Sequence, residues 1–240
     1  MKKLITLAIG DLRNILRDYI LLLSMCGPLL LALFVRFAVP WLAELLQIKF
    51  GFDLMVHYPF IVSFMLLLTP MLIGMLMGFI ILDERDQDVL TYLMVTPLSR
   101  AGYLTYRLIS PMIISFILSF VTLGFATLEG LDYLTVAPVV VMSALEAPMM
   151  ALFLVAFAQN KVEGLALGKA AGILFLAPIG GYMITSNWQM ALGLFPTYWI
   201  PISFLESLNS VGAYLIYLIM GFVVHLLVIS LLYQKFKTKI

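Results

Sequence analysis

The chain has 240 residues, of which 63% are hydrophobic and 11% charged, with a formal net charge of +1. Soluble domains run about 45–50% apolar and about 25% charged, and a globule of this size leaves roughly a third of its surface exposed. A mean hydropathy of +1.10 therefore excludes a soluble monomer and a disordered chain, and the lone Cys26 excludes a disulfide scaffold.

What remains is an all-α, polytopic membrane protein. At about 20 apolar residues per helix, this length predicts about six spans in a single transmembrane domain, 1–240. Lys2-Lys3 and Leu4 to Ile9 resemble the start of a secretory leader. The apolar run is short, however, and Asp11, Arg13, Arg17 and Asp18 follow without a small-residue cleavage site, so the segment is expected to be retained. Lys3, Thr6, Gly10, Arg13, Asn14 and Arg17 recur at three- and four-residue spacing. Ile5, Ala8, Ile9, Leu12, Ile15 and Leu16 take the opposite face. That pattern predicts an amphipathic helix over 3–18 on the inner leaflet.

Six apolar windows follow, at about 19–41, 58–82, 104–127, 135–158, 169–186 and 211–233. They are continuous rather than alternating, which predicts helices and excludes a barrel. Six spans put both termini on one side. With that side cytoplasmic, the inner Lys and Arg are Lys2, Lys3, Arg13, Arg17, Arg85, Arg100, Arg107, Lys161, Lys169, Lys235, Lys237 and Lys239, and only Arg36 and Lys49 fall outside. This is a strong positive-inside pattern. Pro28, Pro70, Pro111, Pro138 and Pro148 predict kinks. Gly74 with Gly78, and Gly168 with Gly172, predict close helix packing. Cys26 is expected to pack as a small hydrophobe.

The inner segment 83–100 reads DERDQDVLTYLMVTPLSR. Asp83, Glu84, Asp86 and Asp88 surround Arg85 and are read as the acidic start of a short helix. Val89, Leu90, Leu93 and Met94 give that helix one apolar face. Thr96-Pro97 stops it, and Ser99 caps the next helix ahead of Arg100. The segment is either a solvated loop or a docking helix for a cytosolic partner. The acids do not form a calcium loop, because Asp88 and Met94 occupy the places that need Gly and Glu. No metal site is expected. The outer segment 187–210 lacks Lys and Arg, is broken by Pro196 and Pro201, and carries Trp188, Tyr198 and Trp199. It predicts a re-entrant or interfacial helical hairpin, or else an aromatic anchor.

Within the spans stand Glu146, Arg36 and His225. A carboxylate at that depth faces a cavity or a partner. Glu146 is therefore a candidate substrate contact, a proton site, or one half of an ion pair with Arg36 or His225. No hydrolase string or HExxH occurs. Gly164-Leu-Ala-Leu-Gly168-Lys169-Ala170 has the wrong spacing, and lacks the Ser or Thr, of a phosphate loop. The chain is thus expected to be no enzyme, to hold no cofactor and to bind no nucleic acid. If it moves cargo with ATP, another chain supplies the ATPase.

Taken together, these features resemble the permeases of ATP-binding-cassette exporters of the type-2 class, in the form where membrane and ATPase parts are separate chains. The resemblance covers nearly the whole sequence. It is most specific in GFIILDERDQDVLTYLMVTPLSRAGYLTYRL, residues 78–108, with FPTYW at 195–199 adding to it. The chain is most similar to the small drug and fluoroquinolone export permeases. The resemblance implies that 83–100 is a coupling helix seated in a cleft of the ATPase, with Glu84, Thr91, Pro97, Leu98 and Ser99 matching the family's coupling string. Asp83, Arg85, Asp86, Asp88, Leu90, Leu93, Met94 and Arg100 complete that candidate surface. It also implies that 3–18 is an elbow helix and that 187–210 holds paired outer helices. The working unit would contain two permeases, expected to be identical copies, and two ATPases that bind ATP and Mg. A proton-coupled transporter using Glu146, and a non-transporting membrane scaffold, are the rival readings.

Overall fold

The computed structural model describes residues 2–88, 100–126, 128, 131–184, 186–209 and 211–237. Among these residues the chain is all-helical, with no strand. Helix α1, Lys2–Arg17, ends at Asp18, whose extended backbone turns the chain. The Asp18 carboxylate accepts from the N–H groups of Ile20 and Leu21, at 2.8 and 3.3 Å, and so caps α2, Tyr19–Leu33. A π turn at Phe34–Ala38 joins α2 to α3, Val39–Phe50. Pro40 has no N–H to offer the carbonyl four residues back, and the helix widens just before it. Gly51, at φ +65°, closes α3 in the left-handed conformation that glycine tolerates.

Helix α4, Tyr58–Asp86, is preceded by a 3₁₀ turn at Leu54–His57. Helix α5 spans Arg100–Phe125. Helices α6, Tyr133–Ala144, and α7, Glu146–Phe157, form one span broken by a turn at Leu145. Helix α8, Lys161–Ala170, continues through a 3₁₀ stretch, Ala171–Phe175, into α9, Leu176–Met183. A 3₁₀ helix at Asn187–Leu194 leads into α10, Pro196–Asn209, and α11, Val211–Lys237, follows.

Among the described residues, six helical stretches are long and apolar enough to cross a membrane. In the second and fourth, 83% of the apolar window is buried, against 17–28% in the others. Helices α4, α6 and α7 therefore form the axis of the bundle, and the remaining spans turn one face to lipid. The two ends of the bundle segregate as the charge pattern requires. At one end, Asp11 meets Arg107, Asp18 and Asp83 meet Lys161, and Lys235 lies 3.6 Å from the centre of the Phe157 ring. At the other, the Tyr214 hydroxyl donates to the Thr135 carbonyl at 2.6 Å, and His57 Nδ1 lies 2.6 Å from the Tyr182 hydroxyl.

The helices extend beyond the apolar windows: the first stretch runs to Phe50, the second to Asp86, and the fifth begins at Lys161. Hydropathy marks the apolar stretch, whereas the helix continues wherever its polar groups find partners. The expectation that Asp83, Glu84 and Asp86 start a helix is corrected: they occupy the last turn of α4. Asp88 then takes a left-handed φ of 54°, and its N–H bonds to the Arg85 carbonyl, which ends the helix. The aromatic-anchor reading of 187–210 is also corrected for two of its three residues. Tyr198 and Trp199 are buried in the protein, with Trp199 Nε1 donating to the Gly193 carbonyl at 2.7 Å. Trp188 alone of the three is exposed.

Candidate functional site

The last turn of α4 is a junction. Each of its four charged residues reaches a different backbone or side-chain partner, and together they join it to α1, α5, α7 and α8. Glu84 binds Arg107 of α5. Arg107 has no exposed surface, and its Nη1 also donates to Asp11 Oδ2 of α1 at 2.7 Å. Its guanidinium lies 5.4 Å from the ring centres of both Tyr103 and Tyr106. The two tyrosine hydroxyls complete the shell: Tyr103 donates to Glu84 Oε2 at 2.6 Å and Tyr106 to Asp11 Oδ2 at 2.9 Å. One fork-shaped cation thus holds two carboxylates from distant helices, a geometry that arginine alone among the side chains supplies.

The neighbouring residues point elsewhere. Arg85 Nη1 donates to the carbonyls of Ala158 and Val155 at 3.1 and 3.4 Å, with Nη2 also reaching Val155 at 3.3 Å. These lie at the C-terminal end of α7, where carbonyls lack helical partners and the dipole favours a cation. Asp86 accepts from the backbone N–H of Lys161, at the first turn of α8, at 3.0 Å. The Lys161 ammonium lies 2.7 Å from Asp18 and 3.4 Å from Asp83. Partial burial works against the Asp18 carboxylate. The hydrogen bonds from Lys161, Leu21 and Ile20 outweigh it and hold the group below its ordinary value. Asp88 is exposed.

Of the remaining predicted positions, Leu90, Thr91, Leu93, Met94, Pro97, Leu98 and Ser99 lie outside the described residues, and Arg100 begins α5. The structure brings Glu146 and His225 together, with Oε1 and Nε2 3.3 Å apart and both side chains fully buried. It does not bring Arg36 to them. Arg36 is exposed, donates to the Phe125 carbonyl at 3.4 Å and stands 5.6 Å from the Phe37 ring centre. Gly74 and Gly78 lie where α4 meets α7. A Cβ on Gly74 would strike the Ala147 carbonyl, and one on Gly78 would lie 2.7 Å from Leu154 Cδ1. In the fifth span the expected pair is only half right. Gly168 approaches Met75, Gly172 has nothing within 4 Å, and Gly164, one turn earlier, packs on Leu82. No group of three or more metal-ligating side chains occurs among the described residues. An apolar cavity of about 250 Å³ opens between the first, second and fifth spans, lined by Phe34, Phe60, Phe64, Met65 and Ile179 among others.

The sequence carries a signal for Arg107. An arginine inside a span needs a partner, and Tyr103 stands one helical turn from it. Its carboxylates, Asp11 and Glu84, lie 96 and 23 residues away, and no local spacing reveals such pairs.

Fold and site define a polytopic, all-helical protein of the cell membrane whose inner ends are locked by charge. A family model described as "Fluoroquinolones export permease protein Rv2686c-like" matches residues 11–233. The fluoroquinolones export permease proteins Rv2686c and MT2760 of two Mycobacterium tuberculosis strains (ATCC 25618 / H37Rv and CDC 1551 / Oshkosh) are each 31% identical to it over 233 residues. Each match covers 96% of this chain and 92% of the relative. No solved structure matches. The chain belongs to the Rv2686c-like family of export permeases, and it is a multi-pass protein of a prokaryotic cell membrane.

Proposed function

We propose that the chain is the transmembrane subunit of an ATP-driven, type-2 cassette exporter. Two copies of it would work with two cytosolic ATPase subunits that bind ATP and Mg. The chain itself contributes no ATP site. The observation that supports this reading is the junction at the end of α4. The last turn of α4 and the first turns of α5, on either side of residues 87–99, are tied to each other and to α1, α7 and α8. A push on the intervening segment therefore moves several spans together as a rigid body.

The cargo class is amphiphilic: drug, antibiotic or lipid-like. The relatives' names make fluoroquinolones the first compounds to test, and the aromatic-lined cavity suits a flat apolar ring system better than a sugar or ion. The reading is tested by recovering the detergent-solubilised chain from its native membrane. An ATP-hydrolysing subunit is expected with the wild type and is expected to be lost when Leu90, Leu93 and Met94 are changed to Asp. Absence of any ATPase under mild conditions overturns it. The buried Glu146–His225 pair supports a second reading, transport driven by a proton gradient. Drug efflux that survives ATP depletion but stops when the gradient collapses would select it.

A further inference from the structure

The Glu146–His225 pair contains a proton count. His225 Nδ1 lies 2.7 Å from the Gly221 carbonyl oxygen. A carbonyl only accepts, so Nδ1 carries a hydrogen. That leaves Nε2 facing Glu146 Oε1 at 3.3 Å. Among the described residues, neither Nε2 nor either carboxyl oxygen makes a hydrogen bond, the 3.3 Å approach to each other included, and both side chains are fully buried. With no proton between them, two lone pairs face each other and a carboxylate sits uncompensated in an apolar core, which is costly. With two, the pair becomes a buried cation. One proton removes both faults, either as an Oε1–H donating to Nε2 or as an Nε2–H facing the carboxylate.

We propose that Glu146 and His225 form a proton-binding site that holds one shared proton near the bilayer midplane and exchanges it with water only when the fourth and sixth spans part. When the proton leaves, the bond to Nε2 or Oε1 breaks, both electrons stay on that atom, and the proton passes to water. The pair left behind is an acceptor facing an acceptor, which opposes renewed contact between the spans. Among the described residues, the surrounding helices bring no other ion-pair partner to the two side chains. Helix α4 has no titratable residue between Tyr58 and Asp83, α5 has none beyond Arg107, and α6 has only Tyr133. Helix α10 carries Tyr198 and Glu206, α8 carries Lys161, Glu163 and Lys169, and α11 itself carries Tyr214, Tyr217, Tyr233, Lys235 and Lys237. Among the described residues, the only ion pair of Glu146 or His225 is with the other.

The chain has two histidines, His57 and His225, so ¹⁵N-histidine labelling of the full chain in phospholipid nanodiscs gives two ring systems. His57→Gln assigns them. From about pH 5 to 8, the range in which a free imidazole titrates, His225 is expected to keep a hydrogen on Nδ1. Glu146→Gln is expected to shift its Nε2 signal. A bare Nδ1 in the wild type, or an Nε2 signal that Glu146→Gln leaves unchanged, overturns the proposal. A wild-type measurement tests it without any variant at the pair. The His225–Glu146 proton should exchange with deuterated solvent at least about tenfold more slowly than the ring protons of His57, because exchange requires opening. Equal rates overturn it.

Discussion

Arg107 has no exposed surface, and its charge is balanced by two acids that pair with no other cation among the described residues. Removing one partner of a buried pair strands the others, at a cost of about 3–5 kcal/mol. Arg107→Met is therefore expected to lower the thermal unfolding midpoint in detergent sharply. Arg107→Lys, which keeps the charge but not the fork, should fall between. A midpoint for Arg107→Met equal to wild type would remove the junction from the account. Asp18 gives a milder, pH-dependent effect. Its carboxyl lies below the ordinary 3.8 in the fold. Its contribution is thus present above that value and is lost as pH falls through the lower folded value. Asp18→Asn keeps the helix cap and drops the bond to Lys161, so its acid unfolding profile should flatten in that window. Asp18→Ala should also lose the cap, about 0.5–2 kcal/mol.

At the scale of helices, the contact of α4 with α7 rests on glycine. The neighbour of Gly74 is the Ala147 backbone, which cannot move aside, whereas that of Gly78 is the tip of Leu154. Gly74→Ala is expected to cost more than Gly78→Ala, within about 1–3 kcal/mol for overpacking. Gly172→Ala, with nothing near it, should be close to neutral. Chemical unfolding in detergent ranks the three, and an inverted order would refute the packing argument. These elements were partly legible in the sequence. The spacing of Gly74 and Gly78 announces close packing. It does not say which helix approaches, and the same spacing at Gly168 and Gly172 overstates the contact. The last turn of α4 is not legible in the sequence, because three acids at a helix C-terminus oppose the dipole. They persist there because Arg107, Lys161 and the α8 N-terminus answer them.

For the molecule as a whole, the six apolar helical stretches were open to composition alone, since lipid forces helices, and the Lys and Arg bias predicts which side each end faces. Of what joins the spans, the pairing of Glu146 with His225 was open too, because a charge inside a span needs a partner; the charged junction was not, because its residues are up to 143 positions apart. The orientation is checked by replacing Cys26 with Ala and placing single cysteines at the exposed Lys49 and Lys169. A membrane-impermeant maleimide should label intact cells at position 49 and not at 169. The reverse pattern would invert every assignment of side made above.

The charged junction also carries an order of events. Ribosomes deliver the chain from its N-terminus, so acids appear before the cations that neutralise them. Asp11 waits 96 residues for Arg107, and Asp18 waits 143 for Lys161. Until then these carboxylates lack the partners they hold in the fold. The charged junction is therefore completed late in synthesis, once Lys161 at the start of the fifth stretch has emerged.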